Sequence, residues 1–128
     1  MNGTVLVVDD DLDIRSTIGQ ILREEGFTVR TARDGLEALL SIADVEPDLV
    51  LLDLMMPVLD GWQVLETLRS ARSQIPVVIL SAFPAEGCAG YIKKPVSYER
   101  LFQLLKLVRA RVAARARDAG GEGPDESN

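Results

Sequence analysis

The strongest constraint on the fold of this chain is the regular alternation of two kinds of segment. Short apolar runs rich in β-branched residues are typical of strands buried on both faces, and longer segments with apolar residues every three or four positions are typical of amphipathic helices. Strands are predicted at 4–9, 27–32, 48–53, 75–81 and 90–93. Helices are predicted at 11–26, 34–45, 60–70 and 97–117. Strands that alternate with helices form a parallel sheet covered on both faces, so we predict an α/β domain.

Each helix is expected to turn one apolar stripe toward the sheet. The predicted inward residues are Ile14, Ile18, Ile21 and Leu22 in the first helix, Leu36, Leu39, Leu40 and Ala43 in the second, and Leu101, Leu104, Leu105, Val108 and Val112 in the last.

Length and composition indicate one soluble domain. The chain has 128 residues, a formal net charge of −6, one cysteine and no histidine. These values exclude an intramolecular disulfide, a cysteine metal cluster and any histidine-based catalytic site, and they argue against general binding to nucleic acid or to an anionic membrane. We predict one domain over 1–117 and a disordered acidic tail over 118–128. With no signal peptide or membrane-spanning run in this sequence, a cytoplasmic location is expected.

The connection between the last two predicted strands is unusually short. Only eight residues, 82–89, separate them, whereas a crossover between parallel strands usually takes a dozen or more and includes a helix. Eight extended residues span about 26–29 Å, which suffices to return along one strand. We therefore predict a loop or a single turn here, and expect poorly covered apolar surface near Val78, Leu80 and Ile92, over which either Phe83 folds or a partner binds.

Polar residues stand at the carboxyl ends of the predicted strands, where open α/β sheets bind their ligands. Asp9 and Asp10 end the first strand, Asp53 the third and Ser81 the fourth, and Lys93 and Lys94 end the last. Each has an ordinary structural explanation, because aspartates cap helices and surface lysines are solvated. Together, however, converging carboxylates would repel one another unless a cation bound, and oxygen ligands favour Mg²⁺. The combination favours a phosphoryl-binding site.

Four segments of the sequence, VLVVDDDLDIR, DLVLLDLMMPVLDGW, PVVILSA and YIKKP, resemble the receiver domain of bacterial two-component response regulators. The resemblance extends from Thr4 to about Arg111. It implies a doubly wound, five-stranded parallel sheet with the flavodoxin-like strand order 2-1-3-4-5.

The resemblance also implies roles for the acids. Asp53 would be the phospho-acceptor and would share in metal binding. Asp10 would bind Mg²⁺ directly, Asp9 would hold it through water, and the backbone carbonyl of Met55 would be the third protein ligand. Haloacid-dehalogenase-like phosphatases also use an aspartyl nucleophile with Mg²⁺, but they need a second acid two residues later, where this sequence has Met55.

Further roles implied by the resemblance fall on the last two strands. Lys94 would contact the phosphoryl group, and the Lys94–Pro95 peptide bond would be cis. Ser81 would be the switch hydroxyl and Tyr91 the switch aromatic residue.

The function expected from this resemblance is that of a single-domain response regulator. It would take a phosphoryl group from a histidine kinase or a phosphotransfer protein and change its contacts with a protein target. It would not be an enzyme in the usual sense, although it would assist its own phosphorylation and slow dephosphorylation. Apolar Met55 and Phe83, where the family often has polar residues, predict slow loss of the phosphoryl group.

Two alternatives remain open. The short crossover alters the face that receivers use for output and for dimerisation, so a pseudo-receiver that binds a partner without phosphorylation is the competing hypothesis. At the end of the last helix, Arg109, Arg111, Arg115 and Arg117 form either a solvated face or a basic patch for DNA or an acidic partner. No DNA-binding motif accompanies them, so binding of nucleic acid by this chain itself is not expected.

Overall fold

The computed structural model describes residues 3–81, 90–93 and 97–122. Within these ranges the elements are β1 (Thr4–Val8), α1 (Leu12–Glu24), β2 (Thr28–Ala32), α2 (Gly35–Asp44), β3 (Leu49–Asp53), α3 (Gly61–Ser70), β4 (Val77–Ser81), β5 (Gly90–Lys93) and α4 (Tyr98–Glu122). All neighbouring strands are parallel, and their order is β2-β1-β3-β4-β5. The predicted α/β class and strand order are confirmed.

The sheet separates two apolar cores, because successive side chains of a strand point to opposite faces. Val5 and Val7 of β1 join one core with residues of α1 and α4. Leu6 and Val8 of the same strand join the other core with residues of α2 and α3. This two-sided burial explains why the central strands read as continuous apolar runs rather than as alternating ones.

The predicted inward face of α2 is wrong in part. Leu36 and Leu40 are 51% and 63% exposed, and Ala43 is exposed too. The buried positions are Gly35 and Ala38, with Leu39 packed against the core beside them. Helix α2 thus presents its small residues to its neighbours. This arrangement lets the backbone of Gly35 approach Leu59 closely enough for a hydrogen bond of 3.0 Å.

The stripes of α1 and α4 are confirmed, since their predicted residues belong to the core between these helices or pack against it. The expected exposed surface near Val78 and Leu80 is wrong, because both are buried in that same core. Their side chains lie on the face that α1 and α4 cover. The crossover 82–89 and the Ile92 side chain lie outside the described residues.

Helix α4 continues to Glu122, whereas the sequence predicted an end at residue 117. The extension comprises residues 118–122, which include one alanine and two glycines; glycine has low helix propensity, so the local sequence does not explain it. The start of the predicted tail is therefore helical. The domain boundary itself remains a prediction.

Two of the four arginines near the end of α4 contact the body of the domain. Arg109 donates to the Glu25 carbonyl oxygen at 2.7 Å and to Glu25 Oε1 at 3.2 Å, and its guanidinium lies 5.0 Å from the centre of the Phe27 ring. Arg111 donates to the Gln74 carbonyl oxygen at 3.3 Å. These two side chains tie α4 to the segments after α1 and α3, so neither belongs to a purely solvated face. The side chains of residues 115 and 117 lie outside the description.

Two helices end in the same motif but with different residues at the left-handed position. After α1, Gly26 has φ +92°, and after α3, Arg72 has φ +56°. In both cases the N–H of this residue and the next N–H bond carbonyls of the last turn, the pattern of a Schellman cap.

We expect Arg72→Gly to raise the free energy of unfolding by about 0.5–1 kcal/mol, because glycine adopts positive φ without steric cost. Gly26→Ala should lower it by about 1 kcal/mol for the same reason. Urea denaturation of both variants checks the pair. A loss of stability in Arg72→Gly would contradict the assignment of strain to this residue.

Within the described part of the chain, no helix combines the length and the apolar character that crossing a membrane requires.

Candidate functional site

Three carboxylates meet at the carboxyl edge of the sheet. Asp9 and Asp10 follow β1, and Asp53 ends β3. Because Val8 pairs with Leu52 on the adjacent parallel strand, the next residues of the two strands emerge side by side. One oxygen from each of Asp9, Asp10 and Asp53 lies within 4.8 Å of the other two. The predicted convergence of these acids is confirmed.

Burial distinguishes the members of this acidic cluster, by which we mean Asp9, Asp10 and Asp53. Asp9 is 0% and Asp53 4% exposed, whereas Asp10 is exposed. Ionised carboxylates at buried positions need compensating charge or hydrogen bonds. Oxygen donors at this spacing, with one side open to water, suit a hard divalent cation such as Mg²⁺. The donor set therefore fits the predicted metal.

The turn from β1 into α1 holds Asp9 by its backbone and its side chain. The Asp9 N–H donates to the Ala32 carbonyl oxygen of β2 at 3.1 Å. Its Oδ1 accepts from the Asp11 N–H at 3.0 Å. Asp11 in turn caps α1, accepting from the N–H groups of Asp13 at 2.8 Å and Ile14 at 3.3 Å. A helix cap thus orients the turn that carries the first two acids.

The guanidinium of Arg15 also holds this turn, a role that the sequence did not predict. Its Nη1 donates to the carbonyl oxygen of Asp9 at 2.7 Å. The only signal in the sequence was a basic residue one helical turn after the cap Asp11, which is too common to distinguish.

The loop after β3 begins at the third acid and is anchored at both ends. The Met55 N–H faces Asp53 Oδ1 at 3.4 Å, and the Gly61 N–H donates to the Leu54 carbonyl oxygen at 3.0 Å. The Met55 side chain is 76% exposed, so it does not seal the acidic cluster from water by packing over it.

The middle of this loop is a tight turn. The Leu59 N–H donates to the Pro57 carbonyl oxygen at 2.8 Å, and Val58 between them has φ +68°. Such a γ-turn is rare and strained, above all at a β-branched residue. The Gly35 N–H of α2 holds the turn by donating to the Leu59 carbonyl oxygen at 3.0 Å. Contacts from α2 and α3 therefore maintain a loop that its own sequence does not favour.

The remaining predicted site residues are described only in part. Asp53 pairs with Leu80 on β4, so the backbone of Ser81 follows at the same edge of the sheet and pairs with Lys93. The side chains of Ser81 and Tyr91 lie outside the described residues. Lys94 and Pro95 lie outside them altogether, as does Phe83. The roles of these residues remain predictions.

Comparison with known proteins gives the family. The family described as response regulator receiver domain matches residues 5–106. The response regulator MprA of a Mycobacterium species (strain KMS) is 39% identical over 94% of this chain, and the transcriptional regulatory protein PrrA of Mycobacterium tuberculosis is 41% identical over 96%. In both cases the match covers 54% of the relative, so the chain spans about half the length of the curated relatives it matches.

Solved structures agree in fold and in sequence. The receiver domain of the Francisella response regulator 1452 superposes with a TM-score of 0.80 and 34% identity, covering 86% of this chain and 98% of that one. The Vibrio cholerae chemotaxis protein CheY4 superposes with a TM-score of 0.75 and 29% identity, covering 82% and 97%. Together with the parallel sheet and the three acids at its carboxyl edge, these matches show that the chain belongs to the response regulator receiver domain family.

Proposed function

We propose that this chain accepts a phosphoryl group on Asp53 from a histidine kinase or a phosphotransfer protein, in the presence of Mg²⁺, and thereby changes its contacts with a protein target. The observation that carries the proposal is the acidic cluster, whose three carboxylates offer oxygens within 4.8 Å of one another. Asp53 stands at the end of the central strand β3, with β1 on one side and β4 on the other.

The transfer itself needs little covalent chemistry from the protein. A carboxylate oxygen of Asp53 attacks the phosphorus of a donor phosphohistidine. The new P–O bond forms as the P–N bond breaks, and the imidazole leaves with the electron pair of that bond. Positioning and electrostatic stabilisation account for most of catalysis in phosphoryl transfer. The Met55 N–H, 3.4 Å from Asp53 Oδ1, helps to orient the attacking carboxylate.

Asp9, Asp10, Asp53 and the backbone carbonyl of Met55 would hold Mg²⁺. A hard cation bound there would offset the negative charge of the carboxylates and of the phosphoryl oxygens. The family resemblance assigns Lys94 to a phosphoryl oxygen and Ser81 to a second one, with Tyr91 responding to the hydroxyl. We propose these roles for the same positions of this chain, and a cytoplasmic location for the protein.

The test is the intact mass of the protein after incubation with acetyl phosphate and Mg²⁺. Wild type and Asp13→Asn, a control that changes an exposed acid outside the cluster, should each gain one phosphoryl group. Asp53→Asn should gain none. A gain that persists in Asp53→Asn would place the acceptor elsewhere. No gain in wild type, with Mg²⁺ binding demonstrated, would favour the pseudo-receiver, a module that binds its partner unmodified.

The lifetime of the phosphoryl group should depend on Met55. Because the exposed thioether offers a water molecule no strong hydrogen bond, attack of water on the aspartyl phosphate is expected to be slow. We predict that Met55→Asn speeds the loss of the phosphoryl group several-fold, measured as the decay of the phosphorylated mass after the donor is removed. Leu12→Asn, at another exposed apolar residue, serves as the control. An unchanged decay rate in Met55→Asn would contradict the prediction.

A further inference from the structure

Asp10 is the least restrained member of the acidic cluster. Asp9 and Asp53 are buried, but Asp10 is exposed. In the parts of the chain that the structure describes, its carboxylate receives no hydrogen bond and no ion pair. Its distance from the other two acids is therefore set by the backbone that carries it.

That backbone is held by Arg15. The peptide group between Asp9 and Asp10 is planar, so the orientation of the Asp9 carbonyl determines where the Asp10 Cα atom lies. Arg15 Nη1 donates to this carbonyl oxygen at 2.7 Å, a length typical of a charge-assisted hydrogen bond. On the other side of Asp9, the N–H is fixed to β2 by its 3.1 Å bond to the Ala32 carbonyl oxygen. Each of the two peptide planes that flank Asp9 is thus held by one hydrogen bond.

Arg15 is itself well placed to act as a support. Its backbone N–H donates to the Asp11 carbonyl oxygen at 3.1 Å in the first turn of α1, and its side chain is half-buried. The same turn is capped by the Asp11 carboxylate. The guanidinium therefore reaches back from a rigid helix to the turn that precedes it.

We propose that Arg15 is a positioning residue for the metal site. It holds the Asp9–Asp10 peptide plane so that the Asp10 carboxylate stays within reach of Asp9 and Asp53 before any cation binds. The inference rests on the proposed function, since the cation is the Mg²⁺ proposed there.

The guanidinium also brings a positive charge near the acids, which would act in the opposite direction by competing with the cation. When the side chain is removed, loss of the positioning would weaken Mg²⁺ binding, whereas loss of the competing charge would strengthen it. Because Arg15 is only half-buried, solvent and salt screen the action of its charge on a more distant cation, whereas its hydrogen bond to the Asp9 carbonyl is a direct contact that they weaken much less. We therefore expect the loss of positioning to dominate.

The first readout is the affinity for Mg²⁺, measured by titration calorimetry on the full chain. Arg15→Ala should weaken binding by about tenfold, the lower end of what lost outer-shell partners cost metal sites. Arg15→Lys, which keeps a charged donor, should recover most of the affinity. Arg23→Ala, the same change on an exposed arginine at the far end of α1, should leave it unchanged.

The second readout needs no metal. In the presence of EDTA, amide hydrogen exchange of residues 10–12 should be faster in Arg15→Ala than in wild type, and unchanged in Arg23→Ala. Unchanged or tighter Mg²⁺ binding in Arg15→Ala, or unchanged exchange in EDTA, would overturn the proposal. Should Arg15→Ala not fold, Arg15→Met, which removes the donor but keeps most of the apolar stem, takes its place. If wild type binds no Mg²⁺, the proposed function fails, whereas the exchange experiment still tests the role of Arg15.

Discussion

Replacing Gly61 by alanine is expected to lower the free energy of unfolding by about 2–3 kcal/mol, the upper part of the range for overpacked sites. A Cβ atom at this position would lie 2.4 Å from the carbonyl oxygen of Asp53 and 2.7 Å from the Leu54 Cα atom. Both are backbone atoms, so neither can rotate away. Since Asp53 is the proposed acceptor, relief of the clash would also displace the acidic cluster. Urea denaturation measures the first effect and Mg²⁺ titration the second.

Gly19→Ala is the matched control. A Cβ atom there would lie 3.3 Å from Arg23 Nη1 and 3.6 Å from Val29 Cγ1, the ends of side chains that can yield. Because alanine is favoured over glycine inside a helix, this variant should gain up to about 1 kcal/mol. Equal stability of Gly61→Ala and Gly19→Ala would show that the loop after β3 adapts, contrary to the packing described here.

Neutralising Asp10 should separate the stability of the metal-free protein from its response to Mg²⁺. We expect Asp10→Asn to raise the melting temperature in EDTA, because one of three neighbouring negative charges is removed and the carboxylate makes no stabilising bond to another described residue. In wild type, Mg²⁺ at a hundred times its dissociation constant should add about 2.7 kcal/mol. Most of this gain should be absent from the variant. Thermal melts with EDTA and with Mg²⁺ measure both effects.

Asp13→Asn is the control for charge alone, since Asp13 is an exposed acid in the first turn of α1, close to Asp10 in the chain but outside the cluster. It should keep the full response to Mg²⁺ and lose only a few tenths of a kcal/mol from its interaction with the helix dipole. A melting temperature of Asp10→Asn in EDTA below that of wild type would mean that the three carboxylates do not repel one another appreciably in the metal-free protein.

The sheet and the acidic cluster could be predicted from local sequence. Short continuous apolar runs such as LVLL are typical of strands buried on both faces, and an aspartate directly after such a strand stands at its end. Once the strands are parallel and β1 lies beside β3, Asp9 and Asp53 are adjacent by geometry. For the same reason, the three acids of the cluster could be predicted from the sequence.

The inward face of α2 could not be read in this way. The leucines at 36, 39 and 40 fit the helical period for more than one orientation of α2 about its own axis. Hydrophobicity alone favours the orientation that buries most of them. The observed rotation buries Gly35 and Ala38 instead, because the first turn of α2 must approach the backbone of Leu59. That requirement comes from a loop more than twenty residues away along the chain.

The sequence by itself determined the alternation of elements, the strand ends and the acids placed there, since each depends on the chemistry of a few consecutive residues. Only the tertiary structure decided which groups hold those acids in place. The bond from Arg15 to the Asp9 carbonyl, the approach of Gly35 to Leu59 and the contact of Gly61 with the backbone of Asp53 all involve main-chain atoms. Every residue carries the same main-chain groups, so a sequence pattern cannot show which of them will be contacted.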